Sequence, residues 1–456
     1  MYPFQKNTET LCKEELASIL KTSPEALEKF EEQYAVAELE YAKKSNNLFD
    51  HSIQQIKRKI RKITTHQELI DKIVDELVAQ TVVEHYGKEY SITKFDVPEE
   101  TPVTPDDLKE FDQFNRPNLL GRFMQRDTSG NAYPLLLELY QKFQNEGDLH
   151  TYQIFRQGLD ICDLDPIVYE ILGMNKNTIG YWLPHLQYAV SHMDSSSEIH
   201  FQIPETDVIK VPITLLQLSR LEYESLSPIT MKILDQYCMK VFSLDPKKEY
   251  FVKTGTFSSK FNFRNAHVKG EKEVEELGEY LLYISHQASI MAGPLTIPCT
   301  YGVSTTNEWC VREYIQDKEN NPCIYHGMPL HTEYRVFFDG STKEILGIAP
   351  YWKPDIMKKR FEGCKNPNEI HDYAIYLAHE ETLMKRYNEN ETKILKSVEY
   401  LLKNMQLDGQ WSLDIMQNGD EFYLIDMALA QNSALNDCCS KGLPELKEDW
   451  IPNINE

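Results

Sequence analysis

QWSLDIMQNGDEFYLIDM, residues 410–427, holds two apolar runs joined by Asn418-Gly419-Asp420, with one aspartate in the middle of each run. Asn-Gly between such runs is a strong hairpin signal. Asp414 sits inside WSLDIM and Asp426 inside FYLIDM. Carboxylates in strand interiors are costly unless they are paired or bind a metal. Two of them, twelve residues apart across one hairpin, suggest a Mg²⁺ site that also uses nucleotide phosphates. Register tests this. A two-residue loop at Asn418-Gly419 sets Asp414 against Tyr423 and Asp426 against Trp411, on opposite faces. A three-residue loop or a bulge sets Asp414 against Leu424 and Asp426 against Ser412, on one face. The metal reading requires the second arrangement and predicts it.

Upstream, YFVKTGTFSSKFNFRNAH (250–267) delivers Lys253 at the end of a β-like run, then a Gly/Thr/Ser loop with Ser258 and Ser259, then Lys260. From Tyr250 to Gly270 there are four basic residues and no acid, in a chain of formal charge -23. Such a loop offers backbone N–H groups and ammonium charges to phosphate oxygens. It is not a Walker A loop, since GxxxxGK[ST] is absent. A solvated hairpin with snorkelling lysines is the bland alternative.

Between these segments lie two strand candidates, each with an arginine. In TTNEWCVREYIQ (305–316), alternation groups Arg312 with Cys310 and Tyr314, opposite Val311 and Glu313. The backbone leaving that strand can present N–H and C=O to an adenine ring, although an arginine there is commonly in a surface ion pair. In HTEYRVFFDGSTKEILGIAPYW (331–352), Glu333, Arg335 and Phe337 share one face and Tyr334, Val336 and Phe338 the other. That strand reads as buried, so Arg335 needs Glu333 or an anion as its partner.

At ~100 to 200 residues per domain, 456 residues predict two to four domains. With 41% hydrophobic and 26% charged residues the composition is globular. The acidic excess repels nucleic acid over the molecule as a whole. MYPFQKNTETLCKEEL lacks an apolar core, and no stretch of about 18 apolar residues occurs, so neither signal peptide nor membrane span is expected and the compartment reads as cytoplasm. Nine cysteines without a CxxC pair read as reduced thiols.

Residues 1–180 form an expected α-helical N-terminal region, with helices from Ser23-Pro24 to about Lys44 and from about His51 to His85, then a Pro- and acid-rich connector. Residues 181–249 read as a small α/β unit, with strand-like LQYAV (186–190) and VIKVPITLL (208–216) before a helix from Ser227-Pro228 to near Leu244. Residues 250–445 are mixed: strands at 250–253 and 308–315, a helix near 271–292, a hairpin across Asp339-Gly340, two helices between about Asn368 and Leu407, and the final hairpin. IKRKIRK (56–62) reads as a solvated basic face. His379-Glu380 begins like HExxH, but position 383 is Leu, and GxSxG is absent.

Taken in order, these elements resemble the ATP-grasp superfamily, over about residues 181–440. The resemblance is to the branch marked by two lysines and two arginines. That branch includes phage and bacterial proteins and the eukaryotic cell-division-cycle chaperone for initiation-factor assembly. The matching residues are Lys253, Ser258-Ser259-Lys260, Arg312 in VRE, Glu333-Tyr334-Arg335 followed by Tyr351-Trp352, and Asp414 and Asp426. The resemblance implies an α+β fold in which two α/β subdomains clasp Mg-ATP. Lys253 and Lys260, with the Ser258-Ser259 loop, would contact phosphates; the backbone at Glu313, Tyr314 and Ile315 would hold adenine; Glu333 would line the nucleotide site. Arg312, Arg335 and Lys260 would face the triphosphate or an acyl-phosphate, and Asp414 and Asp426 would hold magnesium. The family usually ends its metal strand with acid-x-Asn. Here Asp426-Met427-Ala428 breaks that pattern, and Asn432 stands as a substitute ligand.

The implied function is an ATP-dependent carboxylate–amine ligase working through an acyl-phosphate in a water-poor cleft, with carboxylate and amine substrates. The alternative is an ATP-binding assembly factor that grips a protein client without turnover. A lesser option is a kinase using the same grasp.

Overall fold

The computed structural model describes residues 67–96, 169, 172–173, 175–219, 228–292 and 306–439. Their elements are, in order, α1 (Gln67–Ala79), β1 (Val82–Tyr86), β2 (Ser91–Lys94), α2 (Ile179–Ser191), β3 (Phe201–Gln202), β4 (Thr206–Lys210), α3 (Ile213–Leu218) and α4 (Pro228–Val241). Then follow β5 (Tyr250–Thr254), β6 (His267–Val268), α5 (Glu271–Glu275), α6 (Leu277–Ala292), β7 (Glu308–Glu313), β8 (Cys323–Ile324) and β9 (Met328–Pro329). The last are β10 (Glu333–Asp339), β11 (Glu344–Pro350), α7 (Pro354–Phe361), α8 (Pro367–Leu402), β12 (Gln410–Asn418) and β13 (Glu421–Leu429). The fold is mixed α+β with largely antiparallel sheets. Among the described residues no helix is long and apolar enough to cross a membrane.

The chain divides into two compact units: Met1–Gln80 with Phe95–Asp165 and Pro212–Val241, and Thr81–Lys94 with Pro166–Val211 and Phe242–Glu456. In the first, α1 packs along α4, with Lys240 Nζ 2.6 Å from Asp75. The second holds a six-stranded sheet, β2-β1-β4-β7-β5-β6, and a five-stranded sheet, β11-β10-β12-β13-β3.

Alternation in the five-stranded sheet separates a greasy face from a charged one. Tyr334, Val336 and Phe338 of β10 and Leu413 and Ile415 of β12 join Trp182, Leu183 and Leu186 of α2 and Val398 and Leu401 of α8 in one buried core. Each such side chain gains about 1.5–3 kcal/mol from burial. The intervening residues Arg335 and Asp414 therefore face away from that core. They are cross-strand partners. Phe337 starts a smaller cluster with Leu346, Ala349, Ala430 and Leu435.

Several expectations change. The helix expected to reach His85 stops at Ala79, and Val82–Tyr86 is a strand, because its β-branched start pairs with β4. LQYAV lies inside α2: buried Ile179, Trp182, Leu183, Leu186 and Ala189 recur at helical spacing, which a five-residue window conceals. VIKVPITLL splits at Pro212, with β4 before it and α3 after. The two helices expected after Asn368 are one helix of 36 residues, capped by Asn366 and opened by Pro367, with no Gly or Pro inside to break it. The helices expected between Ser23 and Lys44, the connector near Thr104, and IKRKIRK lie outside the described residues.

Candidate functional site

The final hairpin has a two-residue turn, Gly419-Asp420, flanked by the pair Asn418↔Glu421. Gly419 takes φ +67, in the left-handed region that glycine enters without penalty. The register holds to Ile415↔Leu424, then shifts, so that Asp414 faces Asp426 and Ile425 is the extra residue. A bulge thus puts both carboxylates on one face, as the metal reading requires, but the partners differ from those expected. Leu424 faces Ile415, and Ser412 faces Ala428. The expected odd loop is replaced by a bulge five residues deeper in the ladder.

Two like charges directly opposite each other are destabilising unless compensated. Arg335 grips Asp414 bidentately, Nε to Oδ1 at 2.7 Å and Nη2 to Oδ2 at 2.6 Å. Lys253, only 3% exposed, places Nζ 3.0 Å from Asp426 Oδ1. Burial raises the Asp426 pKa, but the charges of Lys253 and Arg312 outweigh it and hold the carboxyl below its usual range. Arg335 therefore pairs with Asp414 and not with its near neighbour Glu333.

Lys253 and Arg312 come from the other sheet. Their cross-strand partners, Cys310 and Phe251, set both side chains on one face of β5 and β7. Arg312 Nη1 donates to the carbonyl of Ile425, the bulged residue whose backbone has left the ladder. Arg312 is 5% exposed, and its Nε and Nη2 are buried with no hydrogen-bond partner among the described residues. Those two donors need an acceptor.

Lys260 and Tyr351 complete the ring. The Tyr351 ring has Lys260 Nζ at 4.4 Å and the Arg335 guanidinium at 4.8 Å from its centroid. Desolvation opposes the Lys260 charge, yet Tyr351, Glu333 and Asp414 overcome it and raise its pKa. Burial pushes the Glu333 carboxyl up to about 7, with Lys260 opposing that and Asp414 adding to it.

The other sequence-predicted residues stand differently. Ser259 Oγ is buried and donates to Gln287 Oε1 of α6 at 2.6 Å, so its hydroxyl braces the loop; Ser258 is half-buried beside it. Gly255 is closed in: a Cβ there would lie 2.0 Å from Thr178 Oγ1 and 2.6 Å from Thr306 Oγ1. The Glu313 and Tyr314 amides, expected to meet adenine, donate to the carbonyls of Glu205 and Glu249 at 2.9 and 3.0 Å. Ile315 follows β7, half-buried. Asn432 Oδ1 accepts from Asn177 Nδ2 at 3.1 Å, while Asn177 Oδ1 accepts from the Leu429 amide at 2.8 Å. The amide is thus engaged just past β13. Sequence reading missed Asn177 and Gln287, which lie far off in the chain and carry no local signal.

A separate group brings Asp317, Glu319 and His331 together. Asn321 Nδ2 donates to both carboxylates at 2.9 and 3.3 Å, and Arg386 Nη2 lies 3.3 Å from Glu319. It is already a satisfied polar network. His379, set aside in the sequence, has its pKa lowered by burial. The six described cysteines are free.

Lys253, Lys260, Arg312, Glu333, Arg335, Asp414 and Asp426 thus form one connected set of charges. The donor set fits a polyanion with a divalent cation: two apposed carboxylates for the metal, and orphaned guanidinium donors for phosphate oxygens.

No protein-family model matches the chain, and no curated protein matches it. Among solved structures it is similar to C-terminally truncated Cdc123 from Schizosaccharomyces pombe, with TM-score 0.33 and 11% identity, covering 59% of this chain and 88% of that one. It is also similar to Cdc123 from the same yeast, with TM-score 0.30 and 12% identity, covering 59% and 86%. Likenesses at this level carry no inference about role.

Proposed function

We propose that the chain binds a nucleoside triphosphate with Mg²⁺ where the two sheets meet, in the manner of an ATP-grasp protein, and acts as an ATP-binding assembly factor for a protein client. One observation carries the reading: among the described residues, buried Arg312 Nε and Nη2 lack acceptors beside a carboxylate pair already served by Lys253 and Arg335. A triphosphate brings about four negative charges, and Lys253, Lys260, Arg312 and Arg335 are the cations that would receive them. Asp414 and Asp426 would hold the metal, which supplies charge neutralisation at the phosphates. The region before residue 181 would grip the client.

The binder is favoured over a turning-over enzyme by the metal strand. Ala428 stands where an amide ligand is expected, and Asn432 Oδ1 is engaged with Asn177. The second reading is the carboxylate–amine ligase. Its support is the excess of cations around the site, which suits charge that develops in phosphoryl transfer. In that reading Arg312, Arg335 and Lys260 stabilise an acyl-phosphate, and an amine displaces phosphate. Incubation with ATP, Mg²⁺ and mixtures of amino acids or peptides separates the two. Tight nucleotide binding without ADP release supports the binder; ADP release dependent on an added amine supports the ligase; absence of nucleotide binding refutes both.

A further inference from the structure

Both aspartates of the site are already paired with cations before any ligand arrives. Both oxygens of Asp414 are held by Arg335 at 2.6 and 2.7 Å, with side-chain exposures of 5% and 13%. Asp426 Oδ1 is held by Lys253 Nζ at 3.0 Å, with side-chain exposures of 42% and 3%. Resting on the nucleotide reading above, we infer that these two ion pairs form a lock that opens only by exchange, so that divalent metal and polyphosphate bind in obligate coupling and neither binds appreciably alone.

A metal bridging the two carboxylates must displace Arg335 from Asp414, whose oxygens are both taken, and compete with Lys253 for Asp426, whose Oδ1 Lys253 holds and whose side chain is 42% exposed. Arg335 is then left buried without a counter-charge, which is strongly unfavourable. The Tyr351 ring offers no relief, because Lys260 Nζ already lies 4.4 Å from its centroid. A polyphosphate arriving without metal draws the same cations away. Asp414 and Asp426 are then left bare, directly opposite each other across the ladder. When both arrive, the carboxylates pass to the metal and the cations to the phosphates, and no buried charge is stranded. The four cations outnumber the three carboxylates Asp414, Asp426 and Glu333, and the surplus positive charge suits a metal-bound triphosphate, with about two net negative charges.

The lock makes an unusual prediction: deleting a cation should create metal binding. Mn²⁺ added to the full chain without nucleotide, and followed by the loss of its free-ion paramagnetic resonance signal, reads this directly. Arg335→Gln frees Asp414 and is expected to bind Mn²⁺ about 10-fold or more tightly than the parent protein. Lys253→Gln frees Asp426 and is expected to gain in the same direction, which covers the case in which the first variant fails to fold. Adding Asp414→Asn to Arg335→Gln should abolish the gain, separating this site from the group at Asp317. If neither variant gains Mn²⁺ affinity, or if the gain survives Asp414→Asn, the lock is overturned. If both gain but the parent binds no ATP with metal present, the lock stands and the nucleotide reading falls.

Discussion

Asp414 and Asp426 face each other directly across β12 and β13, because Ile425 is an extra residue that shifts the register between them and the turn. The same bulge turns the Ile425 carbonyl toward Arg312 on the other sheet. One inserted residue therefore joins the carboxylates to each other and the two sheets to one another.

The pair Arg335–Asp414 is bidentate and buried, so removing one partner leaves an uncompensated charge. Arg335→Met or Asp414→Asn should each lower stability by about 3–5 kcal/mol, and the double variant should recover much of that loss. Urea denaturation of the four proteins measures the cycle. Additive losses would show that the pair does not interact.

Glu333 gives a pH dependence. Its folded pKa is raised from 4.5 to about 7, so the folded state holds this proton more tightly than the unfolded state does. The associated stability is fully present below about pH 4.5 and is lost as pH rises through 7, on the order of 3 kcal/mol in all. Wild type should therefore lose stability between pH 5 and 8 relative to Glu333→Gln. Thermal unfolding across that range tests it, and parallel curves would contradict it. Asp426 has the opposite sign. Its folded pKa is depressed, so its contribution is present above its ordinary 3.8 and is lost as pH falls below that value.

Gly255 is required by space. A methyl group there would lie 2.0 Å from Thr178 Oγ1, and Thr178 also donates to Glu308 at 2.7 Å. Gly255→Ala should lower stability by about 1–3 kcal/mol through overpacking. Equilibrium denaturation checks this, with unchanged stability as the contrary result.

How far the sequence reveals all this depends on the range of each interaction. Strands β5, β7, β10, β12 and β13 were legible, because alternation and turn chemistry are local. The convergence of Lys253 with Asp426 was anticipated only through the order of motifs, since 173 residues separate them. The bulge at Ile425 was not locatable, because turn residues fix a register only near the turn. Within α2 the stretch LQYAV (186–190) alone reads as strand-like, and only a longer window shows the helical period. The closure of Gly255 depends on Thr178 and Thr306, which no local pattern connects to it.

Lys253 and Asp426 meet across two sheets, and the proposed role of that meeting is to receive a metal-bound triphosphate. Calorimetric titration of ATP in excess Mg²⁺ into the parent protein and into Lys253→Met tests it most directly. Saturable one-to-one binding by the parent and a loss of about 10-fold or more in the variant are expected. Equal binding by both proteins, or none by the parent, would contradict it.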